Sequence, residues 1–264
     1  PFPLAIDPFG QGAIRKIARA ATDVTIKDVE KRRAAVSSSD IATIIYTSGT
    51  TGNPKGVALT HANFVATSEG ARQVLGDVID SPETRLLLFL PVAHVLARLV
   101  MYVILSGQRV LGFSPNIKNL LPDIKAFKPS VLLVVPRVLE KVYNAASSKA
   151  GGGIKGRMFA WSAKQARAYS LASEKTFGPG PFKKIRHGIA DALVLKKIRS
   201  ILGPNLRYIV SGGAPLATDL AHFYAGMGIT LIQGYGLSET TGPISVQHIG
   251  KNTVGGVGLP LPGH

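Results

Sequence analysis

The chain has 264 residues, 45% hydrophobic and 17% charged, a balance that suits a folded protein with a sizeable core and excludes disorder. It has no cysteine, which excludes disulfides, thiolate metal ligands and a cysteine nucleophile, and fits a reducing compartment. The net charge of +16 is concentrated in residues 151–210, where twelve lysines and arginines face only Glu174 and Asp191. Such a stretch is either a solvated helical face or a surface for an anionic partner. Nucleic acid is not expected, because no binding motif or aromatic interleaving accompanies the charge.

Residues 1–35 look peripheral, with a Pro-rich start and the basic run Lys31, Arg32, Arg33. Ile41–Tyr46 is a β-branched run stopped by Thr-Ser-Gly and reads as a buried strand. A Gly/Thr/Pro loop leads to a helix near 61–75 with Thr60 as N-cap. Arg85–Leu90 is the next strand, His94–Leu105 a buried helix, Gln108–Phe113 a strand and Asn116–Lys128 a helix. Ser130–Val135 returns as a strand, and Pro136 is suited to start the helix Arg137–Ser148. Two basic helices follow near 155–175 and 183–202, separated by Gly178-Pro179-Gly180-Pro181. The last elements are strand Leu206–Val210, loop Ser211–Pro215, helix Leu216–Met227, strand Ile229–Gln233 and loop Gly234–Gly242.

This alternation predicts an α/β fold, with mostly parallel sheet layers and flanking helices. The apolar stretches Leu86–Ala97 and Leu99–Leu105 are separated by Arg98 and broken by Pro91 and His94. A spanning helix needs about 20 apolar residues, so none is predicted. No signal-peptide layout is present, and the expected location is cytoplasmic. The chain opens at Pro1 and closes on a turn-like stretch, and both ends are expected to be cuts in a longer protein.

In open α/β sheets, ligands bind beyond the carboxyl ends of the strands. If their strands share one parallel sheet, the loops Thr47–Gly56, Pro91–His94, Ser211–Pro215 and Gly234–Gly242 emerge at one edge. The first loop gathers hydroxyls at Thr47, Ser48, Thr50 and Thr51, glycines at Gly49, Gly52 and Gly56, and the charge of Lys55. Hydroxyls, close backbone N–H groups and an ammonium are what a phosphate requires. It is not a Walker A loop, because Pro54 stands where the second glycine belongs and Gly56 where a magnesium-binding hydroxyl belongs. The bland alternative is a Gly/Thr turn with no ligand.

The last loop carries Gly234, Tyr235, Gly236, Leu237, Ser238 and Glu239. Tyr235 can stack on a purine, Ser238 can donate to a phosphate, and Glu239 offers an oxygen ligand for a phosphate-bound magnesium. A glutamate in a turn is otherwise just a solvated residue. The small residues Gly213, Ala214 and Pro215 leave room for an adenine to lie on their backbone.

Together these loops resemble the adenylate-forming superfamily of acyl-CoA synthetases, luciferases and peptide-synthetase adenylation domains. YTSGTTGNPKG (46–56) is similar to its phosphate-binding signature and GYGLSETTG (234–242) to its adenine and magnesium signature, with SGGAPL between them in the expected order. FLPVAHVLAR (89–98), VPRVLEKVYN (135–144) and the basic insert carrying FAW at 159–161 resemble the long-chain fatty acyl-CoA synthetase branch.

The resemblance implies that residues 36–264 are the central part of the large AMP-binding domain, with a basic helical insert at about 151–205. It implies a parent enzyme that joins a long-chain fatty acid to ATP with Mg2+, releases pyrophosphate, and transfers the acyl group to CoA. Thr47–Lys55 would hold the β- and γ-phosphates, Gly213–Pro215 and Tyr235 the adenine, Ser238 the α-phosphate and Glu239 the magnesium. His94 would lie near the acyl carboxylate; the alternative is a satisfied core histidine. Arg98 stands where some long-chain enzymes place a tryptophan gate, which makes it an acyl-gate candidate or simply the end of an apolar helix face. The family's ribose aspartate, its hinge and the lid with the catalytic lysine are expected beyond this chain, so the piece by itself is expected to have little ligase activity. The alternatives are a fatty acyl-AMP ligase that loads a carrier protein, and a nucleotide- or lipid-binding module without catalysis. Peripheral contact of helices 155–202 with anionic membrane is a further expectation, although Phe159, Trp161, Phe177 and Phe182 do not form a clean stripe.

Overall fold

The computed structural model describes residues 19–20, 24–47, 53–115, 119–250 and 253–263. The chain divides into two units, Pro1–Asp40 and Ile41–His264. The first contains helix α1 (Ile26–Ala35), whose start is set by a reciprocal cap. The Asp28 amide donates to Thr25 Oγ1 at 3.3 Å and the Thr25 amide donates to Asp28 Oδ2 at 2.8 Å. None of its residues is buried.

The second unit is built on a seven-stranded sheet. Its strands are β3 (Arg85–Leu88), β4 (Val110–Phe113), β5 (Val131–Val134), β6 (Tyr208–Ser211), β7 (Thr230–Leu237), β8 (Gly242–Val246) and β9 (Leu259–Pro260), in the spatial order β4-β3-β5-β6-β7-β8-β9. β4 through β7 pair parallel, while β8 and β9 add antiparallel strands at one side. The α/β expectation of a mostly parallel sheet therefore holds.

Period-2 alternation divides the core between the two sheet faces. Leu86, Leu88, Val131 and Leu133 face one apolar cluster with α2 (His61–Ile79) and α3 (Val95–Ser106). Leu87, Leu132, Val134 and Ile209 face the other, with α4 (Leu120–Phe127), α5 (Pro136–Ala150), α6 (Gly153–Ser173), α7 (Pro181–Ala190), α8 (Lys196–Leu202) and α9 (Thr218–Gly226). A π-helical turn, Asp191–Leu195, joins α7 to α8. All four residues of β5 are buried, as a central parallel strand covered on both faces must be.

Local signals did set several boundaries. Thr60 caps α2 through a box with Asn63, and Pro136 opens α5. Helix α2 continues to Ile79, four residues past the expected end, with a non-helical Leu75 (φ −117°, ψ 23°) inside it.

Two expectations fail here. Ile41–Tyr46 is neither buried nor part of the parallel sheet. Strand β1 (Ile41–Thr47) pairs antiparallel with β2 (Lys55–Thr60) in a separate two-stranded sheet, where only Ile45 of β1 is buried. A β-branched run suits any pleated, half-buried surface, so composition does not separate a central strand from a hairpin arm. The segment after Gln233 is also not a loop. β7 continues through Gly234–Leu237 against β8, and only Ser238–Thr241 turns. Gly-rich composition suggested a loop, but an antiparallel partner supplied the missing ladder hydrogen bonds. No helix among the described residues is long and apolar enough to cross a membrane.

Candidate active site

A cavity of about 370 Å³ lies between the sheet and the helices α2 and α3. That volume falls in the range of small-molecule sites. Its inner wall is apolar: Leu75, Val78 and Ile79 from α2, Leu99, Val100, Val103 and Ile104 from α3, and Leu86, Val131 and Val210 from the sheet. α3 follows the carboxyl end of β3 and ends before β4, and α2 ends before β3 begins, so Ile79 and Ile104 form the far end. The mouth is polar and lies at the carboxyl ends of β6 and β7. It is formed by Thr47, His94, Ser211, Gly212, Gly213, Gly234, Gly236, Leu237, Ser238 and Glu239.

The backbone is shaped to make this mouth. Gly213 has φ +80°, which a side chain would strain, and it turns the chain sharply after β6. A Cβ on Gly236 would sit 1.8 Å from the Gly242 carbonyl oxygen, so only glycine permits the β7–β8 approach at this level. A register shift between Tyr235 and Gly236 alters the alternation, so Gly236 and Leu237 both reach the cavity while Tyr235 stays outside it. Thr240 Oγ1 accepts from the Leu237 amide at 2.9 Å and donates to the Gly242 carbonyl at 2.7 Å, which locks the turn that holds Ser238 and Glu239.

His94 is the N-cap of α3. Its Nδ1 accepts from the Leu96 amide at 3.3 Å, which leaves Nε2 as the ring nitrogen able to donate at the mouth. Arg98, one turn on, donates to the Val92 carbonyl at 2.9 Å and to Thr43 Oγ1 at 2.6 Å. It ties β1 to the loop before α3 and is not among the cavity-lining residues. Thr47 reaches the mouth from β1, opposite Lys55, which is exposed. Ser48, Gly49, Thr50, Thr51 and Gly52 lie outside the described residues. Ala214 and Pro215 are exposed beside the mouth, and Tyr235 is about half exposed on its outer side.

Sequence reasoning missed the apolar depth of the site. The α2 wall residues Val78 and Ile79 lay past the expected helix end. It also missed Gln247, which accepts from the Gln233 amide at 2.9 Å and donates to the carbonyls of Thr253 (2.8 Å) and Gly256 (2.9 Å). That glutamine braces the strand leading into Gly234. Ser211 Oγ and Gln233 Nε2 are buried without a hydrogen-bond partner among the described residues. Such atoms are costly unless a ligand or water satisfies them. No cluster of three or more histidine, aspartate or glutamate side chains that could hold a metal unaided occurs among the described residues.

The profile of the AMP-binding enzyme family matches residues 7–264. The chain belongs to that family. It is 45% identical over 261 residues to the long-chain-fatty-acid–CoA ligase FadD15 of Mycobacterium bovis, a match covering 99% of this chain and 43% of that protein. The chain thus spans less than half the length of this relative. Among solved structures, the ATP-bound RpMatB–BxBclM chimera B1 matches with TM-score 0.60 at 22% identity, over 98% of this chain and 40% of the chimera. The o-succinylbenzoate CoA synthetase of Bacillus subtilis in complex with ATP and a magnesium ion matches with TM-score 0.53 at 22% identity, over 86% of this chain and 37% of that one. These likenesses carry the fold: the seven-stranded unit of this chain shares its α/β architecture with these proteins.

Proposed function

We propose that the protein carrying this chain is a long-chain fatty acid–CoA ligase that forms an acyl adenylate. The observation that carries this reading is one continuous cavity, polar where the motif residues gather and apolar over its whole depth. A carboxylate on an alkyl chain has the same division.

The fatty acid enters chain-first, and each methylene buried against α2 and α3 contributes about 0.8 kcal/mol. His94 Nε2–H donates to the carboxylate and holds it at the mouth. Thr47, Ser48, Gly49, Thr50, Thr51, Gly52 and Lys55 hold the β- and γ-phosphates of ATP. Gly213, Ala214, Pro215 and Tyr235 receive the adenine, and Gly234, Gly236 and Leu237 form the floor beneath the α-phosphate. A carboxylate oxygen attacks the α-phosphorus while the bond to pyrophosphate breaks, and Ser238 donates to the α-phosphate oxygen as charge shifts. The CoA thiol then attacks the acyl carbon, and AMP leaves with the electron pair of the broken C–O bond.

Magnesium neutralises phosphate charge and is commonly held by one or two carboxylates together with phosphates. Glu239, exposed at the mouth, fits that donor set.

The test is palmitate-dependent release of pyrophosphate from ATP by the full-length enzyme, followed by palmitoyl-CoA formation. Glu239→Gln is expected to lower the rate by about 10²–10³ while leaving the melting temperature unchanged. Pyrophosphate release that ignores the fatty acid, or an unaffected Glu239→Gln enzyme, would overturn the reading.

A further inference from the structure

Helix α7, the π-turn and α8 form one continuous rod whose inner side is firmly held. Ala190, Leu195, Ile198 and Leu202 are buried in the core. His187 Nε2 donates to the Gly226 carbonyl at 2.6 Å, and its ring stacks on Tyr169 at 4.0 Å. Arg199 grips the Asp191 carboxylate through two nitrogens and donates to the Met227 carbonyl at 2.8 Å.

The outer side is different. Phe182 is 80% exposed, Ile185 61%, Ile189 49% and Leu193 48%. Their offsets of three, four and four residues place them on one helical face, and in α7 that face lies opposite His187, which is tied inward to Gly226. Phe177, 99% exposed, stands in the loop just before α7. Of the four aromatic residues noted in the sequence, Phe177 and Phe182 belong to this surface, while Phe159 is buried in the core and Trp161 is partly buried against it. Exposed Lys183, Lys184, Arg186, Lys196 and Lys197 lie among and beside the apolar residues. From Lys175 to Arg199 the only carboxylate side chain is Asp191, and Arg199 already engages it.

A contiguous apolar stripe of this kind marks an interaction surface. Its composition decides which kind. Protein–protein interfaces are depleted in lysine. Interfacial membrane helices combine a Phe/Leu/Ile face with lysine and arginine flanks that meet anionic headgroups.

We propose that the outer face of α7 and the π-turn, led by Phe177 and Phe182, docks on an anionic bilayer surface. The apolar side chains enter the boundary between headgroups and acyl chains, and the lysines and Arg186 pair with lipid phosphates. The contact is interfacial, not spanning.

These 264 residues contain no cysteine, so within them Ile185→Cys labelled with a polarity-sensitive fluorophore puts a single probe on this face. The probes are vesicles of phosphatidylcholine alone and of phosphatidylcholine mixed with phosphatidylglycerol. A blue shift and co-sedimentation are expected with the mixed vesicles and not with the neutral ones. The Phe182→Ser/Ile189→Ser double variant is expected to bind on the order of tenfold more weakly or worse, since it removes apolar area from the contact. Its melting temperature should be unchanged, because both side chains are exposed. Raising the salt to about 1 M shortens the Debye length to about 3 Å and is expected to weaken binding further. Equal sedimentation with both vesicle types would overturn the proposal, as would a double variant that binds like the parent. So would a dye already in an apolar setting without lipid, whether a second copy (seen as a concentration-dependent rise in mass) or another segment of a longer chain covers the face.

Discussion

Plugging the apolar cavity half-way tests whether it measures the acyl chain. Along α3 the lining runs from Val95 to Ile104. At about 1.5 Å per residue that is about 13.5 Å of depth. A C–C bond of about 1.52 Å advances an extended alkyl chain by about 1.25 Å per carbon, so the depth takes roughly eleven carbons in line. Val100 lines the cavity about 7.5 Å from the mouth, level with about the sixth carbon. The indole of Val100→Trp would fill the space beyond it and displace about five methylenes. At about 0.8 kcal/mol each, that is about 4 kcal/mol. Transition-state binding would fall by about 10³ for dodecanoate and hardly at all for hexanoate. The assay is kcat/KM for pyrophosphate release across a series of chain lengths, with thermal melting as a control on folding. A loss equal for hexanoate and dodecanoate would refute the reasoning, because it would mean that the chain lies elsewhere.

Three further predictions concern stability. Gly226→Ala would place a Cβ 2.0 Å from the Ala166 carbonyl oxygen, where α9 crosses α6. Overpacking against backbone is expected to cost about 3 kcal/mol, read as a lower urea midpoint at unchanged slope. The hydrogen bond from Arg199 lowers the Asp191 carboxyl below its ordinary value of 3.8. A lowered carboxyl contributes stability that is fully present above the ordinary value and is lost as pH falls through the lowered one. Urea midpoints should therefore show Asp191→Asn weaker than the parent at neutral pH, with the gap closing as pH falls below 3.8 and through the lowered value. Arg98→Ala removes the bonds to Val92 and Thr43 and is expected to cost about 1–3 kcal/mol. In a cycle with Thr43→Ala the two losses should fall short of additive by about 0.5 kcal/mol or more, as for residues in contact.

Much of this protein was legible from local chemistry. Thr60 before a helical run, Pro136 at the first turn of α5 and the all-apolar β5 each carry their instruction within a few residues, because caps, a fixed φ and two-sided burial act at short range. The residues Gly213, Ser238 and Glu239 also stood out, since glycine, short polar side chains and a carboxylate gathered in loops after strands have few structural uses, whereas His94 was singled out by the family resemblance alone. What the sequence could not determine was set by distant partners. β1 and β7 hold similar β-forming residues, yet β1 lies in a separate hairpin because β2 pairs with it. β7 extends past Gln233 only because β8 runs antiparallel beside Gly234–Leu237.

The cavity likewise belongs to no single segment. Its wall needs Ile79 and Ile104 to meet at one level and Val131 and Val210 to face them, and these residues are far apart in the chain. The same limit applies to the exposed stripe on α7. An amphipathic spacing is visible in the sequence, but which side of the helix turns inward depends on the partners that hold His187, Ala190 and Arg199. Short-range chemistry therefore determined the elements and the motif residues. Only the packing of distant elements decided which strands share a sheet, how deep the site runs, and which apolar face was left to solvent, because burial is a property of the whole fold and not of any one segment.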